Sequence, residues 1–285
     1  MSSSADLTTR ERERYGSPVS NERVLPKTFL ELMDLEQVAA DFFVGQSPHY
    51  PWGRVFGGQV VAQSLRAAAF TVNPEHRVHS LHAYFLLGGA VGKPILFEVE
   101  RLRDGRSFST RRVVARQDGG VILNIDLSFQ RDEPEVDIQE TNLADDVPRP
   151  DDLPPSDWGA MGIVRDVPNT PGSAVSRIWM KVHEELPIDP VLHACGLAYL
   201  SDHNPLDAIV LSHPHGHDWD SMMTASLDHA VWFHRQPKAD DWMLFDMRGH
   251  GLTNARGMAT GAIHSIGGVH LATVAQEGLV RSPRT

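Results

Sequence analysis

The chain repeats itself, and no other feature of its sequence restricts the fold as much. "SLHAYFLLGG" (80–89) is similar to "SLDHAVWFHR" (226–235), "ILFEVERLRDG" (95–105) to "MLFDMRGHG" (243–251), and "DGGVILNIDLSFQ" (118–130) to "IGGVHLATVAQEG" (266–278). Phe85 and Phe233, Phe97 and Phe245, and Gly119 and Gly267 share one separation, since 233 − 85, 245 − 97 and 267 − 119 all equal 148. One register across three segments points to a duplication, so the 285 residues read as two copies of a single unit.

Each copy opens on a helical pattern and continues with strands. In the first, "FGGQVVAQSLRAAAFTVNP" sets Val61, Leu65, Ala68 and Val72 on one face, and Asn73-Pro74 ends it. In the second, Asp189 is the expected N-cap and Pro190 the first helical residue, followed by "VLHACGLAYL". Both helices are rich in Gly and Ala, which suits close wrapping by a sheet. The alternating segments that follow are separated by hairpin signals such as "RDGR" (103–106), "QDGG" (117–120) and "SIGG" (265–268). The expected class is therefore α+β: two antiparallel sheets, each curled around a central helix, the arrangement called a double hotdog. The expected boundaries are a polar tail over 1–26, a first copy over 27–131, an acidic, proline-rich linker over 132–172 and a second copy over 173–285.

Charge and cysteine content narrow the partners. A net charge of −11 argues against nucleic acid, while a few local Arg or His residues would still suffice for the phosphates of a small ligand. The one cysteine, Cys195, permits no disulfide within the chain and favours a reducing cytoplasm. The start of the chain, "MSSSADLTTRERERYGSPVSNERV", has no apolar signal-peptide core, and no run approaches 18 apolar residues, so no membrane partner is expected.

Duplication supplies an internal control: where one copy alone carries a polar group, packing is no longer the cheapest explanation. Matched at an offset of 137, Leu192 falls on Val55, Tyr199 on Ala62 and Ser201 on Ser64. Asp202 then falls on Leu65. Ser226 has Ser80 as its local match, and Gln276 falls on Ser128 at the 148 offset, or opposite Gln130 across a two-residue bulge. The asymmetry rests chiefly on Asp202, although a carboxylate near a helix end is by itself most often a cap.

"VFGGQVVAQSL", "VHSLHAYFL", "RDGRSFSTRRV", "AYLSD", "SLDHAVWFHR" and "VAQEGLVR" together resemble the acyl-CoA thioesterase II family, in order and spacing, over about residues 27–131 and 173–281. The resemblance implies a double hotdog and hydrolysis of fatty acyl-CoA to free fatty acid and CoA, with no cofactor. It implies three catalytic residues in the second copy: Asp202 of "AYLSD" to activate water, with Ser226 of "ASLDH" and Gln276 of "VAQEG" to orient it. A thioester carbonyl is electrophilic enough to be attacked by such a water without a covalent nucleophile. For the oxyanion, the expected donors are backbone amides where "RVFGGQ" enters the first helix, at Gly57 and Gly58. His79 is similar to a histidine near the family's active site, and Arg235 is a candidate CoA phosphate contact, with a core histidine and a surface charge as their plainer readings.

Other chemistries fit less well. "SHPHGHD" (212–218) has the wrong order for a His-x-His-x-Asp-His metal motif, "HEELP" (183–187) lacks the second histidine of a zincin helix, and no Gly-x-Ser-x-Gly elbow occurs. No metal is expected. The alternative from another class is a non-catalytic hotdog that only binds acyl-CoA. Exposed sheet edges and faces favour a homo-oligomer.

Overall fold

A computed structural model describes residues 25–282 apart from 159, 170–171, 212 and 215–221. Most of the expected N-terminal tail and most of "SHPHGHD" lie outside the described residues.

The chain enters through a short helix, α1 (Phe29–Leu32), and two four-residue strands, β1 (Glu36–Ala39) and β2 (Phe42–Gly45). Helix α2 (Gly57–Ala69) follows, then four long strands: β3 (His76–Phe85), β4 (Ile95–Asp104), β5 (Phe108–Gln117) and β6 (Gly120–Arg131). The second half repeats this sequence of elements. Strands β7 (Gly162–Asp166) and β8 (Val175–Val182) precede helix α3 (Pro190–Ser201) and a short α4 (Pro205–Val210). Then come β9 (Met223–Ser226), β10 (Asp228–Phe233), β11 (Met243–Thr253), β12 (Arg256–Ser265) and β13 (His270–Arg281).

Among the described residues the strands form one continuous antiparallel sheet, not two, in the order β1-β2-β4-β5-β6-β3-β10-β13-β12-β11-β8-β7, with β9 also pairing β13. The sequence could not show the join, because it lies between strands of different copies, β3 and β10. The order is a palindrome about that seam. Its register agrees with the repeat offset: His82 pairs with Ala230, and 230 − 82 = 148, so a two-fold relation at this offset maps the pair onto itself.

The segment 132–172, expected as a linker, contributes β7, which pairs with β8 as β1 pairs with β2. Its five residues, "GIVRD", are hidden in acidic, proline-rich surroundings. The preceding Trp158 packs its ring 5.3 Å from Phe56 and 5.7 Å from Tyr199, so the segment reaches the ends of both long helices.

Those helices form as their sequences require. Asp189 caps α3 by accepting the Val191 N–H at 2.9 Å, with Pro190 opening the first turn. Both are buried along nearly their whole length, and they pack against each other. At Gly58 a Cβ would stand 2.2 Å from the Tyr199 carbonyl oxygen. Glycine is required there for the helices to meet.

Candidate active site

Asp202 stands at the C-cap of α3, one residue beyond its last turn, so the helix end delivers its carboxylate into the core. Ser226 ends β9 and Gln276 lies in β13, which pairs with β9 through Ser226 and Gly278. These distant residues converge. Ser226 Oγ donates to Asp202 Oδ1 at 3.2 Å, and Gln276 Nε2 donates to Ser226 Oγ at 2.9 Å. The first turn of α2 closes the site from the other copy: the Gly58 N–H donates to the Asp202 carboxylate. A Cβ on Gly57 would fall 2.5 Å from Asp202 Oδ2 and 2.9 Å from the Phe85 ring.

The hydrogen bonds continue past the expected trio. His229 in β10, fully buried, meets Gln276 Oε1 through Nδ1 at 2.5 Å and Ser201 Oγ through Nε2 at 2.8 Å. Burial holds this imidazole neutral, its pKa lowered to about 4. Gln276 Oε1 can only accept, so the single ring proton sits on Nδ1, and His229 Nε2 shares the one Ser201 hydroxyl proton with the Ala198 carbonyl oxygen, 2.9 Å from Ser201 Oγ. From His229 onward every bond then runs the same way, through Gln276 and Ser226 to Asp202. A chain with this polarity fixes the glutamine amide and ends on the carboxylate as acceptor.

Electrostatics set the carboxylate's basicity. Burial raises the pKa of Asp202 to about 7, against the hydrogen bonds from Ser226, Gly58 and Gln276 and the charge of Arg54, which all lower it. A carboxylate in this range is a far stronger base than one in water.

Structural register sharpens the comparison of the copies. Ala275 pairs with Ala230 and Asp126 with His82, so the last strands match at 275 − 126 = 149, not 148. The counterpart of Gln276 is thus Leu127, neither Ser128 nor Gln130. Ser226 corresponds to Val78, not Ser80, because 226 − 148 = 78 and each begins the same strand irregularity, at Gly278 and at Phe129. His229 corresponds to Leu81, which pairs with Leu127. Where the second copy has a buried Asp202, His229 and Gln276 and a half-buried Ser226, the first has Leu65, Leu81, Leu127 and Val78. His229 escaped the sequence reading, yet its signal was present: it lies in "SLDHAVWFHR" and faces a leucine at the 148 offset.

Two expected residues lie elsewhere. Phe85 touches Gly57 at the site, but His79 is six positions back along β3, about 20 Å at the usual strand rise. His79 Nε2 pairs with Ser128 Oγ at 2.8 Å, and Arg235 pairs with Asp137. Both line a cavity at the opposite ends of the helices, together with Leu65 and Val191. Conversely, Arg54, which the sequence did not single out, lies close enough to act on Asp202 and donates to the Thr224 carbonyl at 3.3 Å. Cys195 is buried, and burial pushes its thiol up to about 12, which makes it packing and not a nucleophile. No group of three or more metal-ligating side chains occurs among the described residues.

Solved structures define the class. The chain is similar to a hot dog fold protein of unknown function from Alicyclobacillus acidocaldarius, with a TM-score of 0.74 at 23% identity over 90% of this chain and 98% of that one. Acyl-CoA thioesterase II TesB2 from Mycobacterium marinum is more similar, with a TM-score of 0.79 at 39% identity over 90% of this chain and 97% of the other. The model of the acyl-CoA thioesterase family matches residues 158–279, and that of the acyl-CoA thioesterase N-terminal domain matches 46–130. Curated relatives include acyl-CoA thioesterase 2 of Haemophilus influenzae, 34% identical over 88% of this chain and 96% of that protein. Acyl-coenzyme A thioesterase 8 of Homo sapiens is 34% identical over 94% of this chain and 92% of that protein. The chain belongs to the acyl-CoA thioesterase II family.

Proposed function

We propose that this protein hydrolyses fatty acyl-CoA to fatty acid and CoA with a water activated by Asp202. The observation that carries the reading is the chain of hydrogen bonds from His229 through Gln276 and Ser226 that ends on a buried carboxylate, whose pKa is raised to about 7. Asp202 takes the proton as the water oxygen bonds to the thioester carbon. Ser226 and Gln276 fix the water's orientation without adding charge. The Gly57 N–H, in the first helical turn with no intrahelical acceptor, is the donor for the carbonyl oxygen as it becomes an oxyanion. Gly58 cannot share that role freely, since its N–H already serves Asp202. Collapse of the tetrahedral species breaks the C–S bond. A thiol has a pKa of about 8.5, so the leaving thiolate is a strong enough base to recover the proton from Asp202.

Each half is read as a hotdog, its strands wrapped around α2 or α3, with the site built across the two. Cytoplasmic residence rests on the single buried thiol, and no described helix is long and apolar enough to cross a membrane. A homo-oligomer is expected through the outer face of the β3–β10 seam, where Tyr84 and Trp232 are exposed. The test of activity is thiol release from a medium-chain acyl-CoA. Turnover that Asp202→Asn reduces by about 10²–10⁴, with substrate binding retained, supports the hydrolase. Wild-type binding without turnover would favour the acyl-CoA-binding alternative.

A further inference from the structure

The two-fold relation that builds the Asp202 site must generate a second position, at the other ends of the same two helices. A cavity of about 440 Å³ lies there, within the size range of small-molecule sites. Its walls are the counterparts of the catalytic walls. Leu65 replaces Asp202, Val78 replaces Ser226, Phe233 replaces Phe85, Ala194 replaces Gly57 and Phe129 replaces Gly278. The counterparts of His229 and Gln276 are the buried pair Leu81 and Leu127. The duplicated shape has been kept while the group that takes a proton has been replaced by hydrocarbon.

The mouth differs from the floor. Arg77, Arg131 and Arg235 stand around it, with Asp132 and Glu133 as the carboxylates. Arg235 is engaged by Asp137, and Arg131 lies 3.4 Å from Glu75. Arg77 donates to the Pro74 carbonyl oxygen and forms no ion pair among the described residues, so its guanidinium is the one at the mouth not already held by a carboxylate. An apolar floor beneath a guanidinium suits an extended acyl chain whose anionic head stays at the opening.

We propose that this cavity is a second, non-hydrolytic site for an acyl chain with an anionic head, filled by a fatty acid or by acyl-CoA itself. The ligand class rests on the hydrolase reading; the cavity and its relation to the Asp202 site do not. Binding of decanoate, and separately of a non-hydrolysable thioether analogue of decanoyl-CoA, is to be measured by calorimetry on the full chain, with thiol release from decanoyl-CoA assayed in parallel.

The wild type is expected to bind two equivalents of at least one probe per chain. Ala69→Trp, which fills the cavity from the end of α2, reduces this to one and leaves turnover within about twofold. Should that variant fail to fold, Arg77→Glu, at a partly exposed position, weakens the second equivalent at least tenfold and leaves the first unchanged. A second equivalent for decanoate identifies the fatty acid as ligand, and for the analogue alone, acyl-CoA. A single equivalent of each probe, unchanged by either variant, overturns the proposal. Absence of turnover in the wild type would count against the hydrolase reading and would not alter the number of sites.

Discussion

His229 shows how one side chain can govern a site that it does not enter. Its Nδ1–H holds Gln276 Oε1, which turns the amide so that Nε2 faces Ser226. His229→Leu restores what the first copy has at this place, and it frees Gln276 to rotate. The expected result is a fall in kcat of about tenfold or more with KM little changed, since the lost orientation matters in the transition state. Steady-state kinetics on a medium-chain acyl-CoA check this. Asp202 carries the opposite trade. Its folded pKa lies above its unfolded value, so its contribution to stability is full below about pH 4 and is lost as pH rises through about 7. Asp202→Asn is therefore expected to raise the denaturation midpoint at pH 8 and to change it little at pH 4, as urea titrations at the two pH values would show. Of these residues, Asp202, Ser226 and Gln276 were legible as motif positions. His229 was not, because a histidine in an alternating strand has no feature of its own until the register places it on Gln276.

At the scale of elements, the site depends on the close crossing of α2 and α3. Gly58 lies against the Tyr199 carbonyl, and Gly57 leaves room for Asp202 Oδ2 and Phe85. Adding one methyl at Gly58 drives it into rigid backbone, and the expected cost is about 1–3 kcal/mol, as for an overpacked core. Gly58→Ala should lower the urea midpoint measurably. The two long helices and the Asp189 cap of α3 were readable, since Asp189-Pro190 and the Gly/Ala-rich stretches state their own local structure, but α2 ends at Ala69, short of the Val72 and Asn73-Pro74 to which its pattern extends. Strand β7 was not, because its pairing with β8 is a tertiary contact and its neighbours have the composition of a linker. The offset of 149 in the last strand was also invisible. A single inserted residue is absorbed in a strand irregularity and leaves no mark in the sequence.

For the whole molecule, two copies that have diverged account for both ends of the helix pair, with Asp202 at one end and Leu65 at the other. The repeat of elements was legible, but the single sheet and its palindromic strand order were not, because only the folded chain brings β3 beside β10. The same seam carries Tyr84, 62% exposed, and Trp232, 37% exposed, on its outer face. A second copy covering this face would be expected to give a mass of at least two 31.6 kDa chains by light scattering, and Tyr84→Glu with Trp232→Glu should return it to one.

The central claim is that a neutral-range carboxylate, held by Ser226 and Gln276, removes the proton from water. Its most direct test is the dependence of kcat/KM on pH, which reports the free enzyme's essential base. Asp202 must be ionised to accept a proton, so activity should fall about tenfold per unit below a midpoint near 7 and level off above it. A profile that stays flat from pH 5 to 9, or a midpoint unmoved in Asp202→Glu, would contradict the account.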